Sequence, residues 1–511
     1  MKLKALLATC VLAFAGQASA APLVYGTDTV DVQMFVSGSS ALQFMIGQVA
    51  DSLLDPATIN VYYDGTSAGK ASGSSYRAYF GKASAATYAA YPSLYDSVTG
   101  AGKNVLILET GAGGSIQGVT PVTRGVAVKS INLTPATCIP SNPVKTFGTH
   151  NVVTCYGTAD TTRIPDFGVS DVEPSLLQDT ANLPSGTLTD GSSYVMTAAE
   201  ALNLTSVAAL GQTMGVVIGN SVANTDLTSA QIAGVLSGLA TDWHTIDPSV
   251  ASKAKTVVVC RRTNGSGTHA TILARVLNKP CSSNGLAAAT YTNTSAVTGS
   301  GKTAKTVVGT ATPAPAGSYV VVENGSSGAV EGCMNAAVNG TGTGIDAITG
   351  LSAPNYIDIT SGAITAAAGT GGTAIPAKGI ALPAGNVVLG ELGLDYSFPT
   401  TAPLDQFSFL SIDGVAPTTV NAATGLYGVV TETTFNFNAA TKPAAGTANG
   451  DIITAFQTAA GNPTILGAAA IPGVMGLSEN KWVASNPDVD TNPVMRVGDS
   501  GKSCQALVQM Q

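Results

Sequence analysis

The sequence predicts an α/β protein with mainly parallel sheets. Short β-branched runs recur along the chain, and stretches with apolar residues three and four apart lie between several of them. Several runs also end in a Gly/Ser turn that opens into a helical pattern. In folds of this class ligands sit beyond the carboxyl ends of the strands.

In chain order the expected strands cover 32–36, 59–63, 104–108, 125–128, 214–218, 256–259, 318–322 and 428–437. They are rich in Val, Ile and aromatic residues, the types that fit a pleated, buried surface. Helices are expected over 42–54, 230–239, 270–277 and 452–457, where the apolar residues follow the 3.6-residue period. The tracts 64–103, 282–317 and 336–375 are rich in Gly, Ser, Ala or Thr, and they read as loops or insertions. Trp243 and Trp482 read as packing residues, and Tyr62, Tyr63, Tyr76 and Tyr79 as packed tyrosines of a solvated loop.

Residues 1–20 read as a cleaved secretory signal peptide. Lys2 and Lys4 precede an apolar run from Ala5 to Ala15, and Ala18-Ser19-Ala20 supplies a small-residue cleavage site. The run is too short for a membrane span, so the expectation is a periplasmic or secreted protein. Cleavage lowers Lys plus Arg from 23 to 21 against 31 acids, a net charge of −10. An acidic chain without a basic cluster argues against nucleic acid and anionic membrane surfaces. Cys138, Cys155, Cys260, Cys281, Cys333 and Cys504 then remain, an even count that reads as three disulfides in an exported chain. Proximity favours Cys138–Cys155 and Cys260–Cys281, leaving Cys333–Cys504, although sequence alone leaves all pairings open. Three scattered histidines and no CxxC make a metal site an unattractive reading, and no cofactor is indicated.

The most informative stretch is Val257-Val258-Val259-Cys260-Arg261-Arg262-Thr263-Asn264-Gly265-Ser266-Gly267-Thr268. It reads as strand, turn and helix start with a cation at the mouth. Free N–H groups and the helix dipole favour an anion there. Ser266 and Thr268 add hydroxyls, and Arg262 offers a fork matched to a tetrahedral oxyanion. The plain alternative is a capped strand-to-helix corner with a surface arginine. Three further segments share this grammar: Ser37-Gly38-Ser39-Ser40-Ala41, Gly111-Ala112-Gly113-Gly114-Ser115, and Gly168-Val169-Ser170-Asp171. Taken singly, Ser39, Ser40 and Asp171 would pass as ordinary helix caps.

In this order the four loops resemble the periplasmic phosphate-binding proteins of ABC transporters, within the type II periplasmic binding proteins. Met214–Ile218, the pattern 227–238 with Trp243, Asp413-Gly414-Val415-Ala416-Pro417-Thr418, and the helix near 452–458 are similar to that family's hinge strand, helix, late loop and C-terminal helix. The resemblance implies two α/β lobes joined by two crossover strands: 21–219 begins lobe 1, 220–425 forms lobe 2 with low-complexity insertions, and 426–511 returns to lobe 1 and ends in a helix and tail. It implies that Ser39, Ser40, the Ala41 N–H, Ser115 and Asp171 meet Arg262, Ser266, Gly267 and Thr268 around one dehydrated phosphate. Asp171 would select hydrogenphosphate over sulfate, because a carboxylate can only accept. The implied role is non-enzymatic capture for ABC-type uptake or sensing, with a permease as partner. The chain departs from the family at Asn264, where an acid commonly braces the arginine, at Ala41, and in its long insertions.

The chief alternative is a secreted surface or assembly protein that keeps the fold and self-associates through its insertions. Gly65-Thr66-Ser67-Ala68-Gly69 fits a hydrolase nucleophile elbow but lacks a good helix behind it. Thr298-Gly299-Ser300-Gly301-Lys302-Thr303 lacks the first glycine of a nucleotide-binding loop.

Overall fold

The apolar runs form strands buried on both faces. In the chain 104–110, Val105 and Ile107 enter one core while Leu106 and Leu108 enter another on the opposite face. Val257 and Val259 are likewise divided from Val258 and Cys260. Such two-sided burial explains why the runs are continuous instead of alternating. The computed structural model describes residues 21–67, 70–71, 76–140, 150–156, 161–289, 312–313, 317–339, 355–358, 364–366, 379–381, 386–397, 406–469, 471–476 and 504. The signal-peptide segment, the 298–303 stretch, Trp482 and most of the two later tracts lie outside these residues.

The first lobe is built on β1 (Val32–Gly38), helix α1 (Gln43–Leu53), β2 (Asn60–Ser67), β3 (Tyr76–Lys82), β4 (Asn104–Thr110), β5 (Asn151–Tyr156) and β6 (Phe167–Ser170). The 16-residue β7 (Leu204–Gly219) leaves it. The second lobe carries α2 (Ser229–Leu236), β8 (Val257–Arg262), α3 (Gly267–Arg275), β9 (Tyr319–Asn324), α4 (Ser327–Asn339) and β10 (Val387–Gly393). The chain returns through β11 (Val430–Asn438) to α5 (Ala448–Ala460).

The main sheet runs β9-β8-β10-β7-β11-β6-β1-β4-β3-β2-β5. Each lobe has a parallel centre, with β8 parallel to β9 and β10, and β1 parallel to β4 and β6. Between them, β7 pairs antiparallel with β11 through its first half and with β10 from Met214 to Ile218. This is the two-lobed α/β fold with two crossover strands that the resemblance implies. The first lobe's core includes Phe167, Phe435, Phe437 and Phe456, with ring centroids 5.5–6.1 Å apart. Truncating one such ring to Ala costs about 3–5 kcal/mol.

Several expectations need correction. Residues 125–127 are not strand: Gly125 ends a short helix in the left-handed region, and the strand begins at Val128. The tract 64–103 contains β3, a strand inside the sheet, so Tyr62, Tyr63 and Tyr79 are buried strand residues instead of loop residues. The Gly65–Ser67 stretch belongs to β2 and pairs antiparallel with Lys70 and Ala71. That strand pairing is not the strand-to-helix elbow a hydrolase needs. Trp243 is buried as expected.

All six cysteines pair, but only Cys138–Cys155 as proximity favours. Cys260 on β8 joins Cys333 on α4, and Cys281 joins Cys504. The helix α4 follows β9 and packs across β8 and β10, which brings Cys333 to Cys260 despite a sequence separation of 73. Among the described residues no helix is long and apolar enough to cross a membrane, and no group of His, Cys, Asp or Glu is arranged to hold a metal.

Candidate functional site

The loops after β1, β4, β6 and β8 meet where the lobes face each other. This follows from topology: all four strands are parallel members of their half-sheets, and their carboxyl ends point to one cleft. Ser39, Ser40, Ala41, Ser115, Asp171, Arg262, Ser266 and Thr268 are all buried there.

After β1, Gly38 takes φ 132° against Val169, where a side chain would strike the Val169 carbonyl. Ser39 then caps the turn Ser40–Leu42, its Oγ accepting the Ala41 N–H at 3.1 Å. The Ala41 amide, expected to face an anion directly, is thus held by Ser39. The same Ser39 hydroxyl donates to Asp171 Oδ1. After β4, Gly113 and Gly114 take positive φ and deliver Ser115. Its Oγ accepts the Asp171 N–H at 3.3 Å and, from the other lobe, the Gly267 N–H at 3.1 Å. Thr268 Oγ1 donates to Asp171 Oδ2 at 3.4 Å. Burial pushes the Asp171 pKa up, and Ser39, Arg262, Ser115 and Thr268 pull part of that back.

Arg262 is 1% exposed, so the surface-arginine alternative fails. Its Nη1 donates to Ser327 Oγ at 2.9 Å, while Nε and Nη2 reach the Asn324 and Gly325 carbonyls, each at 3.3 Å. Burial lowers its pKa, against the opposing pull of Asp171, Tyr396 and Glu391. Ser266 caps α3, accepting the His269 N–H at 3.4 Å. Its hydroxyl therefore serves the helix start, as the plain reading held for that one position.

Asn264 does not brace Arg262; its side chain donates to the Leu183 carbonyl at 3.4 Å. Glu391 on β10 stands nearby instead. Its Oε2 accepts the Arg262 N–H at 3.0 Å and lies 2.9 Å from His269 Nδ1. Arg261 Nη1 lies 2.7 Å from His269 Nε2. An arginine can only donate, so Nε2 accepts and Nδ1 carries the proton toward Glu391. Burial disfavours the Glu391 carboxylate, but His269, the Arg262 N–H and Arg261 outweigh it and hold its pKa below the usual value.

Further bonds join the lobes around this centre. Gly265 donates to the Asn182 carbonyl at 2.6 Å and accepts from the Ile116 N–H at 2.9 Å. Ser40 Oγ lies 3.1 Å from Ser327 Oγ and accepts the Ser327 N–H at 3.2 Å. Gln43 Nε2 donates to the Tyr396 hydroxyl at 2.6 Å. Ser327, Glu391 and Tyr396 were not among the sequence candidates. A signal for Ser327 existed, since Asn324-Gly325-Ser326-Ser327 repeats the strand, Gly/Ser turn and helix-start grammar of the first loop. Glu391 and Tyr396 carry no comparable local signal.

No known family model matches the chain, and neither does any curated sequence. The fold is similar to those of solved phosphate-transport binding proteins. Solved structures similar to it include one assigned to a phosphate ABC transporter, with bound phosphate, from Clostridium perfringens. That one is 12% identical over 87% of this chain and 100% of the other, with a TM-score of 0.40. An ABC-type phosphate transport receptor from Vibrio cholerae is 11% identical over 86% and 98%, with a TM-score of 0.35. A phosphate-binding protein from Stenotrophomonas maltophilia is 12% identical over 80% and 79%, with a TM-score of 0.32. These are distant likenesses, and the ligand question rests on the side chains described above.

Proposed function

We propose that the protein is an exported solute-binding protein that captures a tetrahedral oxyanion, phosphate first among them, between its two lobes. The observation that carries the reading is the meeting of Arg262, a buried cation, with Asp171, a buried acceptor, among the hydroxyls of Ser39, Ser40, Ser115, Thr268 and Ser327. Hydroxyls that bond to one another across the lobes can rotate onto an anion at little cost. Donors contributed by both lobes reach full strength only when the lobes close, so binding favours closure. Asp171 accepts the proton of hydrogenphosphate, and sulfate has none to give. In this reading 21–219 and 426–511 form one lobe and 220–425 the other, and the site binds without catalysis. Delivery to an ABC-type permease, or sensing, is the corresponding role.

Calorimetric titration of refolded, ligand-stripped residues 21–511 with phosphate and then sulfate near pH 8 tests the proposal. Micromolar or tighter phosphate binding without a sulfate signal is the expected result. The Arg262→Ala variant should lose most of it. Absence of heat with either anion in the unmodified protein overturns the proposal and leaves the surface or assembly role as the working reading.

A further inference from the structure

Six parallel strands end at the cleft, three from each lobe. Five of them deliver the residues described above: β1 Ser39 and Ser40, β4 Ser115, β6 Asp171, β8 Arg262 and β9 Ser327. The sixth, β10, ends at Gly393 and leads into the turn Leu394–Ser397, which carries Asp395. Asp395 is 1% exposed, and among the described residues neither carboxyl oxygen has a hydrogen-bond partner. The N–H groups of Asp395 itself and of Tyr396 lie near it but outside hydrogen-bond geometry.

Its position is at the first anion loop. A side chain added at Gly393 would strike Asp395 Oδ1 and would also stand 3.4 Å from Ala41 Cβ and 3.3 Å from Gln212 Nε2. Gln212 in turn donates to the Ala41 carbonyl at 2.6 Å. The charged and titratable groups facing Asp395 can be named by element. Asp171 and Arg77 face it from the first lobe, Tyr396 shares its turn, and Arg262 and Glu331 lie beyond Tyr396. The crossover strand β7 presents Gln212, and the Ser40–Leu42 turn presents no titratable side chain.

An ionised carboxylate with no hydrogen-bonded donor is strongly disfavoured in such an interior, and the Asp395 and Tyr396 N–H groups and Arg77 offset only part of that. Asp171 has Ser39 and Thr268 on its oxygens. Of two neighbouring carboxyls in unequal surroundings, the one without donors takes the proton. Burial and Asp171 together hold the Asp395 pKa well above the ordinary aspartate value.

We propose that Asp395, as the neutral acid, donates a hydrogen bond to the captured anion and is a second specificity-determining residue of the site. The inference rests on the oxyanion reading above and refines it. Asp171 accepts from the anion's one O–H, and Asp395 gives its own O–H to a bare oxygen. The pair therefore matches a tetrahedral dianion with a single protonated oxygen, the hydrogenphosphate or hydrogenarsenate class. A neutral donor on that side adds a hydrogen bond without a second negative charge beside the dianion.

The test is phosphate titration of the full mature protein and its Asp395→Asn and Asp395→Leu variants at pH 7, each first checked by circular dichroism and melting. Asp395→Asn keeps a donor and should bind within roughly threefold of wild type, whereas Asp395→Leu should bind at least roughly tenfold more weakly. Titrations in buffers of different ionisation heat should show equal proton exchange for wild type and Asp395→Asn. A folded Asp395→Leu that binds like wild type overturns the inference. So does an Asp395→Asn variant that binds tenfold more tightly, or a wild type that takes up more protons than Asp395→Asn, since either marks an ionised Asp395. These two results keep the test decisive should Asp395→Leu fail to fold. Wild-type protein that binds no phosphate overturns the underlying reading as well, a distinct result.

Discussion

Gly267→Ala places one methyl group between the lobes. The new Cβ would stand 2.5 Å from Asp171 Cβ, 2.6 Å from Ser115 Oγ and 2.8 Å from Asp171 Oδ2. An ordinary carbon contact needs roughly 3.5 Å, so the loop of one lobe must retreat from the other by about 1 Å. Retreat lengthens the Gly267 N–H to Ser115 bond and the Thr268 to Asp171 bond, 3.1 and 3.4 Å here. Losing one neutral and one charge-assisted bond costs about 3 kcal/mol, and a misplacement of about 1 Å at a preorganised site costs a comparable hundredfold. Besides each lobe's own main cluster, Ala270 and Ala274 of α3 pack with Ile116 and Val172 of the first lobe, so the ligand-free protein should melt a few degrees below wild type. The assays are phosphate calorimetry and the phosphate-induced rise in melting temperature. Affinity should fall roughly a hundredfold, and the rise should nearly vanish. A Gly267→Ala protein that binds phosphate within roughly threefold of wild type would refute the claim that these contacts close around the anion.

Asp171→Asn should bind sulfate measurably, because the unpaired buried charge that excludes it, worth about 3–5 kcal/mol, is gone; unchanged selectivity in competition titrations sinks the role given to Asp171. Glu391→Gln loosens the support of Arg262 and His269, and it should weaken phosphate binding roughly tenfold while leaving exclusion of sulfate intact; equal affinity would mean that Arg262 is held by the Asn324 and Gly325 carbonyls alone. Burial raises the Glu109 pKa from the ordinary 4.5 to about 7, partly opposed by Arg77 and Tyr79. The folded state then binds more protons than the unfolded one between those values, so stability falls as pH climbs through them, by about 3 kcal/mol at most. Denaturant titrations at pH 5 and 8 should show that loss in wild type and not in Glu109→Gln, and parallel behaviour would contradict it.

The four Gly/Ser loops were readable because each is local: a β-branched run, small residues that permit close approach, then a helix start. That grammar located Ser39, Ser115, Asp171 and Arg262 within their neighbourhoods, and topology brought them together. What escaped was set by distance in sequence. Cys260 pairs with Cys333 because α4 folds back across β8, and no spacing rule anticipates that return. Strand β3 was hidden because its polar members, Arg77 among them, are buried by partners elsewhere: Gln43 accepts from Arg77 Nη2 at 2.6 Å, and the rings of Phe44 and Tyr63 lie within 5.7 Å. Glu391 and Asp395 gave no signal, because a lone acid in a Gly-rich apolar run looks the same whether it faces solvent or a cleft.

The net charge does not conflict with the proposed anion capture. The chain carries an excess of 8 acids over Lys and Arg, yet many charges lie at the surface, where salt screens them beyond about 8 Å. The cleft sees a short list instead. Arg262 is the cation at its centre, and Glu391, tied to His269 and the Arg262 N–H, offsets its charge from behind. Oriented hydroxyl and amide dipoles supply the rest of the field. A dianion stabilised mainly by dipoles needs every donor in place, which makes affinity depend on closure more than on charge. Raising ionic strength should therefore weaken binding far less than the Gly267→Ala methyl does, and a steep salt dependence would instead place the anion at an exposed, charge-driven surface.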